Sequence, residues 1–229
     1  MLRYLFADEM HKFPKLADGM FRDRADQFKT RLGWDVYVNE NGEERDQYDD
    51  LNPLYVIWEE EDGSHGGSMR VLPTTGRVMV NEVFGHLTGG ELINSPVIWE
   101  VTRFCLSRTA SPHTAGAIML SGGEIMEGFG LTHIAGVFDA RMIRIYRLIW
   151  SSPNVLGSEG KGRDQISVGF GPIRLKTAIG LQSARVSRGN CPGCGSRPRS
   201  GPGGNTDFPC QPEARENVIP YLVIAGVAL

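Results

Sequence analysis

The feature that most constrains this chain is a set of charges placed inside apolar, β-rich runs. In Trp99-Glu100-Val101-Thr102-Arg103-Phe104 a glutamate and an arginine interrupt a stretch otherwise suited to a strand, and Arg70 stands late in a second such run, Gly67 to Leu72. An ionised side chain taken out of water costs free energy unless it is paired and hydrogen-bonded. The fold must therefore turn these residues to solvent or bring opposite charges to them. Side chains alternate along a strand, so Glu100 and Thr102 share one side and Arg103 takes the other, unless a bulge re-aims it. On spacing alone, a structural ion-pair network or a solvated face stands beside a working site.

Two further clusters could supply partners. Arg24 and Phe28 are four residues apart and share a helix face, with Trp34 just beyond. Asp46-Gln47-Tyr48-Asp49 places two carboxylates in a loop before a strand. Taken singly, such acids read as solvated loop residues or caps, and Phe28 and Trp34 read as core.

The rest of the chain frames these clusters. Residues 8 to 32 read as helical, with Met10, Phe13, Met20, Phe21, Phe28 and Leu32 near helical spacing and Pro14 and Gly19 dividing the segment. Trp34 to Val38 alternates and ends in the turn Asn39 to Gly42. Strands are predicted over 54–58, 67–72 (ending at Pro73), 98–106, 131–138 and 165–170. Helices are predicted over 114–129, closed by Gly130, and over 140–150, which carries Arg141, Arg144 and Arg147. Strands interleaved with helices favour a single mixed α/β sandwich. From Gly189 to Pro212, glycine and proline make up nearly half the residues, so 184–229 is expected to be a flexible extension of a domain spanning 1–183.

Several function classes are disfavoured. A net charge of −3 gives no bulk attraction to nucleic acid. The N-terminus, MLRYLFADEMHKFPK, has acids and a proline where a secretory signal needs an apolar core, and no apolar stretch reaches the roughly 18 to 20 residues of a membrane span. Cys105, Cys191, Cys194 and Cys210 are too few and too uneven for a disulfide scaffold, which fits a reducing cytoplasm. Cys191-Pro-Gly-Cys194 has the spacing of half a zinc site, flanked by Arg185, Arg188, Arg197 and Arg199. A closed site wants four ligands. Only Cys210 remains nearby and no histidine follows His133, so no metal is expected. A metal- or nucleic-acid-binding module centred on this tail is the reading from a different class.

Taken together, these clusters resemble the autoinducer synthases of the LuxI type, which make acyl-homoserine lactones for quorum sensing. Arg24-x3-Phe28-x2-Arg31-Leu32-Gly33-Trp34 is similar to that family's N-terminal signature, and Asp46-Gln47-Tyr48-Asp49 to its Asp-x-x-Asp loop. Gly67-Ser68-Met69-Arg70 resembles the strand bearing its key arginine, Phe84 a pocket phenylalanine, and Trp99 to Phe104 its Glu-x-[Ser/Thr]-Arg-Phe element. Order and approximate spacing agree over roughly residues 1 to 180, and the likeness fades near Gly180-Leu181.

The resemblance implies a three-layer α-β-α sandwich with a mixed central sheet, the GNAT-like acyltransferase fold. It implies transfer of an acyl group from an acyl carrier protein to the amine of S-adenosylmethionine, then closure of the lactone with release of 5'-methylthioadenosine. S-adenosylmethionine is a substrate and no cofactor is implied. Glu100, Arg103 and Arg70 take the catalytic positions, with Glu100 as general base; Arg24, Phe28, Trp34, Asp46, Asp49, Arg70 and Phe84 bind S-adenosylmethionine. An apolar acyl pocket falls on Met119, Ile125, Met126, Gly136 and Phe138. Gly136 stands where synthases of 3-oxo products often carry threonine, so an unsubstituted or 3-hydroxy acyl product is expected. Acyl carrier protein is acidic, and Arg141, Arg144, Arg147, Lys161 and Arg163 offer it a basic patch. The same architecture admits an alternative, N-acyl transfer from acyl-coenzyme A. GNAT enzymes cradle the pyrophosphate in a Gln/Arg-x-x-Gly-x-Gly/Ala loop at a helix N-terminus. No such loop lies between the strand at 99–106 and the helix near Thr114.

Overall fold

The run Leu54 to Trp58 shows why the fold is layered: its alternating side chains are buried in both directions. Val56 and Leu54 enter one cluster, with Met69, Val71, Ile118, Ile125, Met126 and Leu131. Tyr55 and Ile57 enter another, with Leu5, Met10, Leu16, Met20 and Phe21. A strand buried on both faces requires helices on both sides of its sheet. The computed structural model describes residues 1–140, 142–143, 153–162, 165–171, 182–184 and 219–221.

Seven strands form the sheet: β1 (Leu2–Phe6), β2 (Leu54–Glu59), β3 (His65–Pro73), β4 (Ile98–Leu106), β5 (His133–Asp139), β6 (Asn154–Glu159) and β7 (Ile166–Gly171). Their order is β1-β2-β3-β4-β5-β7-β6. β4 and β5 run parallel and the other neighbours antiparallel, so the sheet is mixed. Helix α1 (Pro14–Ala25) covers one face. The short helix α2 (Met79–Glu82) follows β3, and α3 (Thr114–Phe129) covers the other face as the crossover between the parallel strands. Gly130 ends α3 in the left-handed conformation at φ 65°. The three-layer sandwich expected from the sequence is the observed architecture. Two short strands, β8 (Gln182–Ala184) and β9 (Ile219–Tyr221), pair antiparallel outside this sheet.

One pairing detail matters for the site. β4 and β5 are paired only between Ile98–Val101 and His133–Gly136. Past that point β4 pairs with β3 alone and Val137 to Asp139 with β7 alone, so the two parallel strands part toward their carboxyl ends.

Some elements differ from the sequence reading. Pro14 begins α1, as its fixed φ allows, but α1 runs through Gly19. The bare backbone there lets the helix approach β3 closely, since a Cβ would lie 3.1 Å from the His65 Cβ. β1 and β6 were not expected: β1 is a short edge strand, and β6 is exposed over most of its length, so it lacks a buried alternation. The alternating run 34–38 forms no strand, only a bridge from Val38 to Glu44. The helix expected over 140–150 falls mostly on residues outside the described set, although Met142 and Ile143 are helical. The Gly/Pro-rich stretch and its Cys191–Cys194 pair also lie outside it. Among the described residues, no helix is long and apolar enough to cross a membrane.

Candidate active site

The charges in the strands are paired. Arg70 on β3 donates from Nη1 to Asp49 Oδ1 at 2.8 Å, from Nη2 to Asp46 Oδ2 at 3.0 Å and from Nε to Thr102 Oγ1 at 3.1 Å. Arg24 on α1 grips Asp49 with both terminal nitrogens at 2.9 Å and donates from Nε to Glu44 Oε2 at 2.7 Å. Arg103 on β4 reaches Glu44 at 3.0 Å and Asp46 at 2.8 Å. Three guanidiniums from three elements thus meet three carboxylates from one loop.

A bulge brings Arg103 there. Ser68 pairs with Cys105 and Arg70 with Thr102, so Met69 alone opposes Arg103 and Phe104. Arg103 takes φ 53°, a left-handed value rare for a residue with a side chain. The condition stated by the alternation rule is met, and Arg103 joins Arg70 on one side of the sheet.

The loop arranges its own acids before it meets the arginines. The Tyr48 N–H donates to Asp46 Oδ1 and the Asp46 N–H to Asp49 Oδ2, each at 2.9 Å. Tyr55 adds a hydroxyl donor to Asp49 Oδ1 at 2.7 Å. Burial alone would push the Asp49 carboxyl up. The charges of Arg24 and Arg70, with the hydrogen bonds from Arg24 and the Asp46 N–H, outweigh it and hold Asp49 well below the usual carboxylate range. Arg24 and Arg70 are fully buried, whereas Arg103 and Asp46 keep 11% and 13% of their side chains exposed, so this pair is the open edge of the cluster.

Beside that edge stands an aromatic stack. After Ala25 the helix widens into a π-helical turn over Asp26–Arg31, and the Trp34 N–H folds back to the Phe28 carbonyl at 2.9 Å. π-helical turns concentrate at functional sites. Phe28 is buried and Trp34 is 46% exposed, with their rings stacked at 5.1 Å and 12°. The Arg103 guanidinium lies 5.4 Å from the Phe28 ring centre.

Glu100 has a different environment. It makes none of the cluster's ion pairs; its carboxylate accepts the Val80 N–H at 2.5 Å and the Met79 N–H at 3.1 Å, at the start of α2. Burial pushes its carboxyl up from the usual value, against the pull of those two N–H groups. Tyr48, pushed up to about 12 by burial and by its hydrogen bond to Glu82, ties the Asp46–Asp49 loop to the same short helix.

The remaining sequence candidates are dispersed. Phe84 is half-buried against the cluster of Tyr48, Leu72, Val78, Val80, Leu87 and Val168. Ile125 and Met126 belong to the core beneath α3, Met119 and Phe138 are buried, and Gly136 stands at the last β4–β5 pair. Lys161 is exposed, while Arg141, Arg144, Arg147 and Arg163 lie outside the described residues. Sequence reasoning missed Glu44, the carboxylate shared by Arg24 and Arg103. The signal was available: Glu44 precedes Asp46 by two residues, and three arginines in apolar settings need more acid than Asp46 and Asp49 carry.

Comparisons with known proteins show the family to which the chain belongs. The autoinducer synthase family model matches residues 8–165. An acyl-homoserine-lactone synthase of Rhizobium etli is 36% identical over 200 residues, covering 82% of this chain and 91% of that protein. Among solved structures, the acyl-homoserine-lactone synthase LasI is 26% identical, with a TM-score of 0.65 over 76% of this chain and 89% of its own. TofI, solved in a ternary complex with an inhibitor and MTA, is 27% identical, with a TM-score of 0.59 over 68% and 83%. The architecture is the GNAT-like acyltransferase fold.

Asp49→Asn leaves Arg24 and Arg70 without their shared carboxylate in a buried setting, which is expected to cost about 3–5 kcal/mol of unfolding free energy by denaturant titration. The sign with pH follows from the depressed value. The contribution of Asp49 is complete above the unfolded carboxyl's pKa of about 3.9 and is lost as pH falls through the lower folded value. The variant should therefore show a shallower acid limb. An acid limb as steep as the wild type's would remove Asp49 from this role.

Proposed function

The chain belongs to the autoinducer synthase family and is an acyl-homoserine-lactone synthase, and we propose that the arginine–carboxylate cluster and the Phe28–Trp34 stack form its S-adenosylmethionine site. The enzyme acylates the amine of S-adenosylmethionine, and the methionine carboxylate then displaces 5'-methylthioadenosine to close the ring. The observation that carries the reading is a charge-balanced cluster with one open edge beside an exposed aromatic face. Arg24 has its donors on Asp49 and Glu44, and Arg70 on Asp46, Asp49 and Thr102, so both hold the cluster's shape. Arg103 holds Glu44 and Asp46 through Nε and Nη2, and its Nη1, 3.7 Å from Met79 Sδ, offers a charged donor to the methionine carboxylate, Asp46 faces the amine and sulfonium, and Trp34 offers a face to the adenine or the cation. Asp49 fixes the loop, and Phe84 closes the pocket from the α2 side.

The first step needs a neutral amine, and a free α-amine titrates near about 7.7–8. Glu100 is the proposed base. A carboxyl raised by burial is better matched to proton removal near neutral pH than a solvated one. Its two N–H donors fix its orientation and leave lone pairs for the amine or an intervening water. Lactone closure then depends chiefly on positioning, because the sulfonium is already a good leaving group. No cofactor enters either step.

The acyl chain is proposed to enter where β4 and β5 part, along Met119, Ile125, Met126 and Phe138, with Gly136 at the apex. The donor is proposed to be acyl carrier protein, docked on Arg141, Arg144, Arg147, Lys161 and Arg163. We place the reaction in the cytoplasm and the catalytic unit within residues 1–183, with 184–229 as an appended extension.

Glu100→Gln should slow amine acylation by about 100-fold near neutral pH. It should also abolish the rate limb that rises as the Glu100 carboxyl ionises. Acylation at the wild-type rate from about pH 6 to 9 would remove Glu100 as the base. A lactone made from a mixed set of acylated carriers should be unsubstituted or 3-hydroxy when read by mass, because glycine at 136 gives a 3-oxo group no side-chain hydrogen-bond donor. A mainly 3-oxo product would contradict that assignment.

A further inference from the structure

The π-helical turn that carries the aromatic stack is tied to the sheet by an arginine outside the cluster. Arg108 stands two residues past the end of β4, and its guanidinium grips Asp26, the first residue of the turn, as a fork. Nε donates to Oδ2 at 2.6 Å and Nη2 to Oδ1 at 2.7 Å. This bond holds the Asp26 carboxyl below the usual carboxylate range. Among the described residues, the turn's other side-chain bonds are local. Lys29 Nζ donates to the Val36 carbonyl at 3.1 Å and Arg31 Nη1 to Gln27 Oε1 at 3.0 Å. The Leu32 and Trp34 N–H groups fold back to the Gln27 and Phe28 carbonyls.

The fork matters because burial fixes only part of this segment. Phe28 is buried, whereas Lys29, Thr30 and Arg31 are exposed, Trp34 is 46% exposed and Tyr37 72%. A turn that leaves the α-helical ladder, with few buried contacts beyond Phe28, is free to shift unless something outside it holds it. One run of chain does so at two points. Arg103, in the β4 bulge, lies 5.4 Å from the Phe28 ring centre, and Arg108, five residues on, holds Asp26. An exposed ion pair adds little to global stability, although a bidentate one is the favourable case. The effect of this pair is therefore local: it sets where the turn lies against β4.

We propose that Arg108 is a positioning residue for S-adenosylmethionine: with Asp26 it clamps the turn to the end of β4 and keeps the Phe28–Trp34 face at its spacing from Arg103. Arg108 acts through the turn and not on the substrate itself. The inference rests on the reading that the stack and the cluster bind S-adenosylmethionine.

Arg108→Gln and Asp26→Asn break the clamp from either end while keeping side chains of similar shape. Each should raise KM for S-adenosylmethionine about fivefold, with kcat at saturation and KM for the acylated carrier within about twofold of the wild type. The double variant should be no worse than either single one, because both break the same bond. Trypsin cleavage after the exposed Lys29 and Arg31, mapped by mass on the full chain, should be about threefold faster or more in each variant at an unchanged unfolding midpoint. Unchanged KM for S-adenosylmethionine overturns the proposal, as do additive effects in the double variant or cleavage at the wild-type rate. A rise confined to KM for the carrier also overturns it, since Arg108 would then contact the donor. Trp34→Ala separates the clamp from the reading beneath it. If Trp34→Ala weakens S-adenosylmethionine binding and Arg108→Gln does not, the clamp alone falls; if Trp34→Ala binds as the wild type does, the aromatic site and the clamp fall together.

Discussion

The mutual neutralisation of Arg24, Arg70 and Arg103 by Glu44, Asp46 and Asp49 is the constraint on which the rest of the site depends. Each arginine comes from a different element, α1, β3 or β4, and all three acids come from one loop. Removing one partner from a buried pair leaves an uncompensated charge, at a cost far above the worth of a surface ion pair. The loop is thereby fixed, α1 is tied to the sheet, and the β4 bulge that supplies Arg103 is retained. The left-handed φ of Arg103 is a local strain held in place by these contacts.

The two classes of carboxylate follow from where each acid sits. Asp49 stands among arginines and is held ionised, so it serves structure and charge balance. Glu100 takes its hydrogen bonds from backbone N–H groups instead of an arginine, and burial raises it. Environments that push neighbouring carboxyls apart allow one site to bind a cation and to move a proton. Tyr48 joins the two regions, reaching from the acid loop to Glu82 on the helix whose start Glu100 caps.

Much of this was legible in the chain because charge inside an apolar strand admits few solutions. Arg70, Glu100 and Arg103 announced a site; Asp46, Asp49 and Arg24 supplied partners. Glu44 escaped because no apolar context marks it. Its burial comes from α1, whose Phe21 carbonyl accepts the Glu44 N–H, and from long-range pairing with Arg24 and Arg103. Glu100 was grouped with the arginines by strand spacing, whereas the structure gives it to α2, an element of four residues too short for a periodic signal. β6 left no pattern because it buries almost nothing, and Gly19 misled because a glycine that permits close packing has the same letter as one that ends a helix.

The most direct test is equilibrium binding of S-adenosylmethionine to the wild type and to Arg103→Lys, with unfolding midpoints measured in parallel. Lysine keeps a charge beside Glu44 and Asp46 but has one nitrogen where arginine has three, so none is left to turn outward as Arg103 Nη1 does. If the open edge of the cluster grips the methionine carboxylate, binding weakens about tenfold or more, as expected for the loss of a charge-assisted hydrogen bond, under conditions where the midpoint shows the variant still folded. Unchanged affinity in a folded Arg103→Lys protein would place S-adenosylmethionine elsewhere and leave the cluster as structural framework alone.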